Sequence, residues 1–144
     1  MNLRKMSLFV LTCLIASLFT ACTPQVPTVT GAEYDQVLQF SEPIADNFFA
    51  GLKAGNYAIF SRDFDTGMQK GLPESAFSGL TSSLVKVGAY QSRTVDRIEK
   101  PEGYYAVIYN AQFEQDVVTV RLTLTQSEPH MVSGIWFNSP KLSQ

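Results

Sequence analysis

The chain has 144 residues, with 11 basic against 13 acidic side chains and a net charge of −2. Both early basic residues, Arg4 and Lys5, sit at the very start, and no basic run follows them. Nucleic acid demands a positive footprint, so this balance speaks against nucleic-acid binding. The length suits one domain with a core of its own and is too short for two.

After Arg4 and Lys5 comes an uncharged, mostly apolar run over residues 6–18, and then Phe19-Thr20-Ala21-Cys22. A basic head, a short apolar stretch and a small residue before a cut are the parts of an export signal. The run is shorter than the ~20 apolar residues of a membrane span. Its ending resembles a bacterial lipobox, with Phe19 where Leu is usual. The resemblance implies a signal peptide over residues 1–21, acylation of Cys22, and attachment to a cell or outer membrane with the domain outside the cytoplasm. A plain secretory signal cut near Ala21, or an uncleaved anchor, would also carry the chain out. Cleavage leaves 123 residues and a net charge of −4, because Arg4 and Lys5 depart and no acid does. That acidity disfavours adhesion to anionic lipid heads, so membrane contact is expected through the acyl chains alone. Cys13 leaves with the signal and Cys22 loses its thiol. A cysteine nucleophile, a thiolate metal site or a redox pair in the folded domain is then excluded.

Residues 22–31, with Pro24 and Pro27 and no helical period, read as an extended tether. The domain proper is expected over residues 32–144. Its first element is a helix over residues 32–54, where Tyr34, Val37, Leu38, Ser41, Ala45, Phe48, Phe49 and Leu52 recur at three- and four-residue steps. Pro43 predicts a kink or a restart, with Ser41 as the new cap. Gly55-Asn56 is a stop signal. A short helical piece follows over residues 57–62. Residues 63–67 read as a turn or helix start, faintly similar to a calcium loop but short of a third ligand. Capping by one Asp and an ion pair with Arg62 is the simpler reading. A further helix begins near Pro73, carries Phe77, Leu80, Leu84 and Val85 inward, and stops at Gly88. Beyond it the period becomes two, predicting strands at about residues 89–99, 103–114, 116–126 and 130–138. The third alternates cleanly, with Val118, Val120, Leu122 and Leu124 on one face and Thr119, Arg121, Thr123 and Thr125 on the other. Helices followed by a four-stranded antiparallel meander make an α+β plan, in which the helices cover the apolar face of the sheet.

Several positions in this plan resemble the domain-of-unknown-function family 3887, whose fold is like nuclear transport factor two. They are Phe48-Phe49 and Leu52, Gly55-Asn56-Tyr57, Phe64-Asp65 with Met68, Leu84, Val87-Gly88-Ala89-Tyr90, Phe113-Glu114 and Gly134-Ile135-Trp136-Phe137. The likeness spans about residues 40–138 and implies a cone of helices on a curved sheet, with room for a ligand between the layers. The turn Glu128-Pro129-His130 departs from the Asp/Asn-Gly turn common at that point. Some relatives carry a downstream hydrolase domain, and none is expected in a sequence ending at Gln144.

For such a cone the expected ligand-lining residues are Tyr57, Phe60, Phe64, Tyr90 and Trp136, aromatic side chains that offer an apolar body and, in Tyr and Trp, a polar edge. The competing reading makes them plain core. The lone His130 follows a proline at a hairpin end, where exposure is expected. It cannot supply a histidine metal cage. No cofactor, metal or catalytic set is singled out. Arg93, Arg97 and Arg121 read as charges on the polar sheet face, or as part of a homodimer interface there. The function expected is a lipid-anchored envelope binding protein, for a small apolar ligand or a protein partner. The alternatives are a small isomerase- or lyase-type enzyme and a homodimerisation module.

Overall fold

The computed structural model describes residues 25–143; the signal residues and Cys22 lie outside the described residues. Helix α1 (Gly31–Ala54) is followed by three shorter helices, α2 (Tyr57–Phe60), α3 (Thr66–Gly71) and α4 (Glu74–Leu84), and by a 3-10 turn, Val85–Val87. Four strands follow among the described residues: β1 (Tyr90–Glu99), β2 (Tyr104–Phe113), β3 (Val117–Thr125) and β4 (Val132–Asn138). They form one antiparallel sheet in the order β1-β2-β3-β4. This is the α+β plan read from the sequence, with the helices laid over one face of a curved sheet.

Helix α1 does not restart at Pro43. Ser41 is buried inside a continuous helix, whereas Pro43 is exposed. Because Gln39 is exposed too, water reaches the carbonyl that proline leaves unbonded. Val37, Ile44, Ala45, Phe48 and Phe49 pin both halves to the core. The helix ends where Gly55 takes the left-handed conformation, φ 61°. That turn folds α2 back so tightly that Gly51 lies against the Phe60 backbone. Asp65 caps α3, its Oδ1 accepting from the Met68 N–H at 2.7 Å. Asp63, expected beside Arg62, instead accepts from the Asn47 amide at 2.8 Å. At the end of α4 the tighter 3-10 winding rotates the chain. Val85 becomes 74 % exposed, against the inward placement expected, and Val87 takes the core position.

Val107, Tyr109, Ala111 and Phe113 of β2 face the helices together with Val118, Val120, Leu122 and Leu124 of β3. A bulge at Asp96 shifts the β1 register between Val95 and Arg97. It puts Arg93 and Arg97 on opposite faces: Arg93 opposes inward Ala111, and Arg97 opposes Ile108 on the outer face. Arg93 is therefore not a surface charge; its side chain is 13 % exposed and wedged under α1. His130 also departs from expectation. It is half-buried, its ring stacked on Phe40 with centroids 3.7 Å apart. The segment expected as a tether joins the fold at its far end. Thr28 bridges Glu99, and Val29 is 4 % exposed within the core.

Candidate functional site

The space between helices and sheet is filled by interlocked rings. Phe60 lies 4.7 Å from Phe48, 5.2 Å from Phe64 and 4.6 Å from Phe77, centroid to centroid. Phe49 meets Phe48 edge-on at 5.1 Å and Tyr109 at 5.8 Å. Close packing of this kind leaves little free volume inside. Among the described residues, two clefts open at rims of the layer.

The larger cleft, about 460 Å³, runs along the outer edge of β4. Met68 and Leu72 border it from the α3 region, Leu80 from α4, and Ile135, Trp136 and Phe137 from β4. Five of these side chains are half-buried and rest on the core, while Trp136 is 53 % exposed. The local chemistry holds the cleft in shape. A bulge at Ser133 goes with a hydroxyl bond to Asp65 Oδ2 at 2.5 Å, and the Asp65 N–H donates to the Val132 carbonyl at 2.9 Å. Segment 63–65 is thus tied to the start of β4. The Tyr57 hydroxyl donates to the Leu72 carbonyl at 2.8 Å and fixes the α3–α4 link. The Ser133 hydroxyl and the Met68 N–H hold the Asp65 carboxyl below the usual carboxylate range. Beyond that tie, β4 is the edge strand of the sheet.

The smaller cleft, about 290 Å³, opens at the opposite edge between Leu52 of α1, Leu84 at the end of α4, Val85 just after it, and Tyr90 and Phe113 of the sheet. Tyr90 stacks on Phe49 at 4.8 Å. Next to it Arg93 bridges Glu42 at 3.0 Å and Asp46 at 2.8 Å, its guanidinium 5.3 Å from the Phe49 ring centre and 5.5 Å from that of Tyr109. Burial works against the Arg93 charge, but Asp46, Tyr90 and Glu42 outweigh it and hold the proton more firmly than usual. Burial, reinforced by Glu42, pushes the Tyr109 phenol up, and its hydroxyl donates to Glu42 at 3.0 Å. Neither group changes protonation near neutral pH, so this cluster is a clamp between α1 and β1 rather than an acid–base pair. It is not fully satisfied: Arg93 Nε and the Ser41 hydroxyl are buried without a hydrogen-bond partner.

The five aromatic residues singled out from sequence fall into three places. Phe60 and Phe64 are each 1 % exposed, inside the ring cluster, and Tyr57 touches that cluster through Phe77 at 5.7 Å. Tyr90 lines the smaller cleft and Trp136 the larger one. Met68, Leu72, Leu80, Ile135 and Phe137 were not anticipated as a group. They share a cleft because the α3 region and α4 lie beside β4 in the fold, and no sequence period signals that.

An α+β domain with a filled interior and apolar clefts at its edges is the class this geometry defines. The profile of the family described as "Protein of unknown function (DUF3887)" matches residues 45–128, more than half of the chain. The chain belongs to that family, whose match ends before β4. No curated protein and no solved structure matches it. Among the described residues no helix is long and apolar enough to cross a membrane.

Proposed function

We propose that this protein is an exported, lipid-anchored binding protein of the cell envelope, held at Cys22, which takes an apolar molecule or an apolar side chain of a partner into the β4-side cleft. One observation carries the choice of site. Met68, Leu72, Leu80, Ile135 and Phe137 keep apolar surface turned to a cleft of about 460 Å³ that folding leaves uncovered. That volume falls in the usual range for ligand sites, ~300–1,000 Å³. Trp136 at its rim offers a broad amphipathic surface at small conformational cost. The helices-over-sheet plan is consistent with a nuclear-transport-factor-two-like cone, in which a ligand space would lie between the layers. Here rings occupy that space, and the rim takes over the role.

Anchoring follows from the lipobox-like Ala21-Cys22. Each buried methylene of an acyl chain contributes about 0.8 kcal/mol, and stable attachment takes two such signals. Intact-mass analysis of membrane fractions from wild type and Cys22→Ser tests this step; unchanged mass and partitioning would refute it. The cleft is tested by titrating the purified protein with a fatty-acid series and an isoprenoid series while following Trp136 emission, the chain having one tryptophan. A saturable blue shift, lost in Leu80→Arg and Met68→Lys with the circular dichroism intact, is expected. No saturable response to any member of either series would overturn the reading of the cleft as a site for an apolar molecule.

A further inference from the structure

The way the chain enters the sheet determines which end of the domain faces its anchor. The Val29 N–H donates to the Ile98 carbonyl at 2.8 Å, and the Lys100 N–H donates to the Pro27 carbonyl at 2.8 Å. Thr28 bridges Glu99 in antiparallel sense. β1 ends at Glu99, and the docked residues run the other way, inward from the β1–β2 turn. The chain before Pro27 therefore leaves past that turn. Glu33 ties the start of α1 to the same end, accepting from Lys100 and from the Tyr105 hydroxyl.

The stretch of sequence between Cys22 and the docked residues is correspondingly short. From Cys22 to Pro27 there are five Cα steps, which reach at most about 18 Å when fully extended. β1 runs ten residues from Tyr90 to Glu99, about 30 Å at strand rise. Inverting the domain would lift Pro27 about 30 Å off the lipid, beyond that reach.

Resting on the reading of Cys22 as acylated, we infer that the domain faces the bilayer surface with the end that carries the turn at residues 100–103 and the neighbouring turn at residues 126–131, and holds the Tyr90-lined cleft at the far end. The two turns sit side by side, the Gln126 N–H donating to the Gly103 carbonyl at 3.1 Å. Tyr104 and Val26, 40 % and 43 % exposed, lie at this end, and tyrosine suits the membrane–water interface. Lys100 at this end is paired with Glu33, which leaves Glu102 and Glu128 to make it acidic, so the short connection and not charge attraction holds it down. The far cleft then receives what arrives through water, not lipid drawn from the membrane beneath.

The test uses the lipoprotein purified from membranes and reconstituted into phosphatidylcholine vesicles whose lipids carry a shallow bromine or nitroxide quencher. In a Trp136→Phe background, Tyr104→Trp and Val85→Trp place one indole at each end, both at exposed positions. The Tyr104→Trp protein is expected to lose most of its emission and the Val85→Trp protein almost none. Equal quenching of the two, stronger quenching at residue 85, or no quenching in protein that floats with the vesicles would overturn the orientation. Protein that fails to float, with an unmodified Cys22 by mass, would overturn the acylation and the orientation with it.

Discussion

Gly51→Ala is the sharpest test of how this fold is assembled. A β-carbon at Gly51 would sit 2.2 Å from the Phe60 backbone nitrogen, 2.5 Å from its Cα and 2.7 Å from its Cβ. No rotamer change relieves contact with a backbone, so α2 must move. Overpacking costs about 1–3 kcal/mol. Moving α2 also draws Phe60 away from Phe48, Phe64 and Phe77, and outright loss of a buried Phe ring costs about 3–5 kcal/mol. Against this stands about 1 kcal/mol of helix propensity gained on replacing glycine. The net expectation is a loss of about 2–4 kcal/mol, a large fraction of the ~5–15 kcal/mol typical of a domain. The matched control is Gly79→Ala in α4, where a β-carbon meets nothing within 4 Å. There only propensity acts, and a gain of about 0.5–1 kcal/mol is expected. Urea unfolding followed by circular dichroism and Trp136 emission reads both. A Gly51→Ala protein as stable as wild type, or as Gly79→Ala, would refute the close approach of α1 and α2.

Arg93→Met keeps apolar length under α1 but drops the charge. A loss of about 1–2 kcal/mol is expected in urea melts, modest because released Glu42 and Asp46 can reach water; no measurable loss would show the clamp to be idle. Asp65→Asn is expected to lower stability at pH 7 and to close the gap to wild type in acid. The folded-state carboxyl titrates below its unfolded value, so its contribution is present above the unfolded pKa, near 4, and is lost as pH falls through the folded one. Urea midpoints at pH 7 and pH 3 check this, and a gap that widens in acid would reverse the argument.

Most of the backbone plan was legible because local signals agreed with one another. The 3.6-residue period of α1, the left-handed stop at Gly55, the Asp65 cap and the strict alternation of β3 each specify their element without help from distant residues. The departures came where tertiary packing overrode a local rule. Pro43 stays within α1 because it faces water. Val85 turns outward because a 3-10 turn changes the period. The bulges at Asp96 and Ser133 change which face a side chain meets, and neither has a sequence signature. Loop context predicts an exposed His130, yet Phe40, ninety residues earlier, stacks on it. The β4-side cleft was hidden for a related reason. Half-buried apolar residues look like core in a sequence, and only their failure to meet a covering layer marks them out.

That distinction also weighs the cleft against the sheet's outer face as the place where recognition occurs. On the outer face Ile108 is only 2 % exposed although no helix covers that side. It is flanked across the strands by Arg97 and Arg121, which both pair with Glu99, at 2.8 and 3.2 Å. Long arginine stems cover apolar surface while their heads stay wet. A second copy docking there would have to strip water from three charges already satisfied by one another, at a desolvation cost that the contact gains only partly offset. The β4-side cleft sets no such toll: its lining side chains carry no charge, so apolar area buried there counts toward affinity at about 25 cal/mol per Å² before the costs of association. If pairing through the sheet were nonetheless the protein's role, Arg121→Ala, which frees that face of one charge, would strengthen a dimer in light scattering. Arg121 lies directly opposite Trp136, so the same substitution shifts the resting emission; if the cleft is the site, a saturable fatty-acid and isoprenoid response nonetheless remains, and Leu80→Arg removes it.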